Sequence, residues 1–72
     1  MLETTQARIN TSLTRARKKH PNFAVSLPWV VSIAAEEFGE FAQAINDDRL
    51  IDARSEALDL IAVLIRFLEC DE

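Results

Sequence analysis

Apolar residues recur along this chain at helical spacing in three stretches separated by two short breaks. Residues 3–19 carry only a thin stripe, with Leu2, Ile9, Leu13 and Ala16 on one side of a polar segment. Residues 28–46 present a much wider arc, from Trp29, Val30, Ile33 and Ala34 through Phe38, Phe41, Ala44 and Ile45, which is more than one partner helix covers. In residues 49–69 the pattern closes almost completely, because from Leu58 to Leu68 only Asp59 and Arg66 are polar. A helix apolar nearly all round is buried on all sides. Three helices of this length cannot bury it within one chain, so the pattern predicts an all-α fold in which the second and third helices form an antiparallel hairpin. Two hairpins then complete a four-helix bundle in a homodimer or a dimer of dimers.

The breaks carry their own signals. Pro21 disfavours helix at His20 and ends the first element, leaving His20 as a cap or surface residue. Pro28 suits the first turn of the second helix, with Ser26 or Leu27 near its cap. Asn46-Asp47-Asp48 is expected to supply both the turn and the N-cap of the third helix. Gly39, in a helix interior, costs about 1 kcal/mol relative to Ala, and close approach of another backbone is the expected reason for it.

Within the apolar stretches, carboxylates recur three residues apart: Glu37 and Glu40 in the second helix, Glu56 and Asp59 in the third. Residues i and i+3 share a helix face. At about 100° per residue, Glu37 falls inside the apolar arc of its helix, with Glu40 at its edge and Glu36 on the rim, while Glu56 falls among Leu60, Val63 and Phe67. A hairpin folded about Asp48 sets Glu40 opposite Glu56 and Glu37 opposite Asp59. Four acids gathered in a partly apolar setting repel and desolvate one another unless a cation neutralises them. With oxygen ligands alone, and no His or Cys in either run, the donor set suits Mg²⁺, or Mn²⁺ in its place, better than Zn²⁺ or a di-iron centre.

Composition narrows the rest. Seventy-two residues allow one domain, residues 1–72, with 49% hydrophobic residues, one Gly and two Pro, and hence few loops. The net charge of −4 divides into a basic start and an acidic remainder: residues 1–25 hold five Lys or Arg against one acid, residues 26–72 three against eleven. Such a bulk repels phosphate backbones, so no nucleic-acid partner is expected. Leu2 to Lys19 is too polar for a secretory signal and no apolar run reaches the length of a membrane span, so the expected location is cytoplasmic, without a membrane partner. Cys70, the single cysteine, excludes an internal disulfide framework.

The compound pattern Glu36-Glu37-Phe38-Gly39-Glu40, fifteen residues, Glu56-Ala57-Leu58-Asp59 resembles the E-E-x-x-E and E-x-x-D motifs of the MazG-like, all-α nucleoside triphosphate pyrophosphohydrolases, over residues from about 28 to 69. The resemblance implies Mg²⁺ on Glu37, Glu40, Glu56 and Asp59, and cleavage of a (d)NTP between its α and β phosphates to a monophosphate and pyrophosphate, as in house-cleaning of the nucleotide pool. Glu36 or Glu37 is the candidate general base for the attacking water. Many members hold the phosphates with Lys and Asn of a further helix. Here the sequence runs to Glu72, and Arg66, Lys18 and Arg15 are the candidates for that grip. The basic end of the first helix also suits that helix's dipole by itself, and Arg66 has a simple alternative in pairing with an acid. Trp29 is a core or interface residue by default, as Phe38 is, and is the candidate for stacking on a base. Two other classes fit the same acids: a helical dimerisation or regulatory module with a structural cation site, and a phosphoribosyl-nucleotide pyrophosphohydrolase on a related bundle.

Overall fold

The computed structural model describes residues 3–23 and 26–70, and among them it holds three helices and no strand. The helices are α1 (Thr5–Lys19), α2 (Leu27–Asn46) and α3 (Leu50–Glu69), so the protein is all-α. Leu2, the first member of the apolar stripe, lies outside the described residues. No helix among them is long and apolar enough to cross a membrane.

Each terminus has a chemical reason. α1 begins two residues later than the spacing suggests, because Thr4 adopts an extended backbone and its hydroxyl accepts the Ala7 N–H at 3.0 Å. It ends at His20, whose N–H donates to the Ala16 carbonyl just before Pro21, with Arg17, Lys18 and Lys19 against the negative end of the dipole. α2 starts as expected: the Ser26 hydroxyl accepts from Trp29 N–H at 3.3 Å and Pro28 sits in the first turn.

The junction of α2 and α3 corrects the expected cap. Asp48 has φ of 57°, in the left-handed region. Its N–H donates to the Ile45 carbonyl, and the Arg49 N–H reaches back to the Ala44 carbonyl at 2.9 Å. These two bonds close a Schellman motif on the end of α2. Asp48 is therefore spent in terminating α2 and cannot cap α3. The N-cap of α3 is Arg49, without a side-chain cap bond, and Arg49 ties the junction together by pairing with Asp52 and Asp47.

α3 is the element on which the others are assembled: α1 and α2 each pack on α3 and not on one another. The body is correspondingly flat, with extents of 37 × 29 × 18 Å. Its buried positions are small or polar, namely Ala44, Ala53, Ala62, Ser12 and Arg66, and no large side chain is fully buried. Alanines at the contacts let the helices approach closely, but they remove little apolar surface from water. Trp29, Phe38, Leu64, Phe67 and Leu68 remain exposed within the chain, so α3 is not covered on every side by its own neighbours. Gly39 has no close neighbour within the described chain. A Cβ built there meets nothing within 4 Å, so no other described element's backbone approaches it.

Candidate functional site

α2 and α3 turn their acidic positions toward each other. One carboxylate oxygen from each of Glu37, Glu56 and Asp59 lies within 4.8 Å of the other two. All three side chains are half-buried, as their place inside apolar arcs requires, whereas Glu36 and Glu40 are exposed. Glu40 is outside the group of three, but its charge bears on Glu37, Glu56 and Asp59.

The electrostatics are those of acids held together without a counter-charge. Burial, and then the charges of Glu40, Asp59, Glu56 and Glu36, push the Glu37 carboxyl up to about 7. Glu56 is raised by burial, by its contact with Glu40, and by the charges of Glu40, Asp59 and Asp52. Asp59 is raised as well, chiefly by burial, although Arg15 and Lys19 on α1 pull the other way. One oxygen of Glu37 and one of Glu56 are shut off from solvent and have no hydrogen-bond partner. A carboxylate oxygen buried in this way is costly unless a proton or a cation satisfies it.

These residues fit a hard divalent cation. Oxygens around Mg²⁺ at 2.0–2.1 Å are at most about 4.2 Å apart, so the trio needs only small side-chain adjustment to share one ion. The donor chemistry, oxygen alone from two helices, suits a hard cation better than a soft one.

A groove of about 580 Å³ opens beside the trio, within the range of roughly 300–1,000 Å³ common to small-molecule sites. Its lining includes Glu36, Glu37 and Asp59, Ser12, Arg15, Ala16 and Lys19 of α1, His20 after it, and Phe23, Trp29 and Arg66. The structure thus brings Arg15, Trp29 and Arg66 to the acids. Lys18 is not among the lining residues. It lines a shallow depression on α1 with Asn10, Thr11, Thr14 and Arg15, so that Arg15 borders both.

Arg66 departs from the expected acid pairing. Its guanidinium donates to the carbonyls of Ala16 at 3.3 Å and Pro21 at 3.5 Å, and lies 5.1 Å from the centre of the Phe23 ring. Asp59 is two turns away on the same helix, too far to reach, while the Ala16 carbonyl near the end of α1 and the Pro21 carbonyl just beyond it face Arg66. Lys19 is the groove residue that sequence reasoning passed over in favour of Lys18. The available signal was the stripe Ser12, Arg15, Ala16, Lys19 at spacings of three, four and seven, a single helix face.

Comparison with protein-family models, with curated proteins and with solved structures returns no match.

Proposed function

We propose that this protein is a Mg²⁺-dependent nucleotide pyrophosphohydrolase that cleaves a (d)NTP to a monophosphate and pyrophosphate. One observation carries the reading: three carboxylates from two helices converge, two of them with a buried oxygen that nothing in the chain satisfies, at the edge of a groove of substrate size. Glu37, Glu56 and Asp59 would hold the cation, with Glu40 beside Glu56. When bound, Mg²⁺ supplies charge neutralisation at phosphate oxygens and acidifies a water. Glu36 lines the groove outside the trio and is the carboxylate left to accept the water's proton. The water oxygen bonds to the α-phosphorus and the bond to the α–β bridging oxygen breaks. The electron pair departs on pyrophosphate.

Assembly belongs to the same proposal. A folded monomer of 8.1 kDa has about 4,500 Å² of accessible surface by the usual scaling, and this chain has 5651 Å². The excess is on the scale of the roughly 800 Å² that each partner buries in a standard interface. Phe38, Leu64, Phe67 and Leu68 account for part of it. An antiparallel α2–α3 hairpin that pairs with its copy in a four-helix bundle covers such residues. The test is product identity over a panel of nucleoside triphosphates with Mg²⁺: pyrophosphate supports the reading, and orthophosphate, or no turnover, rejects it.

A further inference from the structure

The groove that holds the acids is also lined by cations, and the buried one among them is Arg66. That side chain is only 9% exposed, yet both acceptors it uses are neutral carbonyls at long distance, and no carboxylate among the described residues pairs with it. A buried guanidinium without a counter-charge is as incomplete as the buried carboxylate oxygens of Glu37 and Glu56. It stands seven residues beyond Asp59 on α3, which is about 10 Å along the helix axis. Phe23 and the carbonyls of Ala16 and Pro21 hold it in place.

α1 adds further cations selectively. Arg17 is neutralised by its ion pair with Glu69. Arg15 and Lys19, one turn apart, have no such partner among the described residues, and both line the groove. Their charge reaches Asp59. The groove is thus lined by acids and by three cations together. A monoanion gains only from the cations. A chain of phosphates that carries a divalent cation at one point satisfies both at once.

We propose that Arg66, Arg15 and Lys19 form an oxyanion subsite for the β- and γ-phosphates, so that the triphosphate lies along α3 with its α-phosphorus at the acid trio and pyrophosphate is the product held by the three cations. The direction of the substrate rests on the pyrophosphohydrolase reading. The subsite itself does not, because a polyphosphate anion meets the same three cations whether or not it is hydrolysed.

The experiment is calorimetric titration of the full chain with inorganic tripolyphosphate in EDTA, with steady-state kinetics beside it. Arg15 and Lys19 are exposed, so replacing them leaves the packing of α1 intact, whereas Arg66→Ala removes bonds that hold α1 to α3. The double variant Arg15→Ala, Lys19→Ala should therefore lose tripolyphosphate affinity at least tenfold. Arg8→Ala, the same charge loss on α1 away from the groove, should lose less than twofold. Glu56→Gln should retain tripolyphosphate binding in EDTA. If these hold while no triphosphate is hydrolysed, the subsite stands and the enzymatic reading falls. If triphosphates yield pyrophosphate but the double variant keeps the parent's KM and tripolyphosphate affinity, the subsite is overturned and the enzymatic reading survives. Tripolyphosphate binding that Arg8→Ala weakens as much as the double variant does would also overturn it, as general charge attraction.

Discussion

Glu37 on α2 and Glu56 on α3 each keep one carboxylate oxygen out of solvent with no hydrogen-bond partner, at the point where the two helices meet. Two buried acceptors facing one another across a helix contact destabilise the fold as it stands.

Protons are one relief. The Glu37 carboxyl lies at about 7 in the folded chain, against 4.5 ordinarily. A raised acid binds its proton more tightly when folded, so its favourable contribution is complete below about 4.5 and lost as pH rises through 7. In EDTA the melting temperature should therefore fall between pH 5 and pH 8. Discounted for solvent screening, the loss is about 1–2 kcal/mol, at roughly 4–8 °C per kcal/mol for a domain of this size. Glu37→Gln should flatten the slope. A melting temperature that rises over this range in EDTA would count against the site.

A cation is the other relief. Mg²⁺ or Mn²⁺ binds the folded chain alone and should raise the melting temperature, by about 2.7 kcal/mol of stability at a hundredfold excess over Kd. The gain should be larger at pH 8 than at pH 5.5, because metal and protons compete for the same oxygens. Glu40→Gln combined with Glu56→Gln should abolish it. Thermal melts with and without millimolar Mg²⁺ decide the matter.

Asp59→Asn separates chemistry from folding. It removes one ligand and one source of repulsion together, so the rate of triphosphate hydrolysis should fall by about a hundredfold or more while stability in EDTA holds or improves. Circular dichroism alongside the pyrophosphate assay measures both. Equal loss of fold and rate would assign Asp59 a structural role instead.

The exposed apolar residues of α3 predict association at micromolar concentration, measured by sedimentation velocity. Leu64→Lys places a charge on a residue 45% exposed in the single chain. It should shift the population toward monomer without unfolding the helices. A parent protein that already sediments as a folded monomer would overturn the assembly.

Gly39 has open space where a Cβ would stand. Gly39→Ala should therefore stabilise the chain by up to about 1 kcal/mol through helix propensity, read as an upward shift of the denaturation midpoint. Destabilisation instead, with weaker association, would place a second copy's backbone against this position.

The helical period, the prolines and the acid spacing are properties of neighbours along the chain, and a single sequence carries them in full. Three helices with ends near residues 19, 27 and 46, and the placing of acids three apart inside the apolar arcs of the second and third, follow from those local patterns. What depends on how one helix is rotated against another was not legible. The cations Arg15, Arg17, Lys18 and Lys19 are alike in sequence, and only the seating of α1 on α3 turns Arg15 and Lys19 to the groove, gives Arg17 to Glu69 and sends Lys18 elsewhere. Arg66 shares a line along α3 with Asp59, but its partners come from the end of α1 and the loop after it, far away in sequence. Asp48 was legible as a turn residue but not as the residue that ends α2, because cap and terminator draw on the same residue type and only the backbone angle at that position separates them.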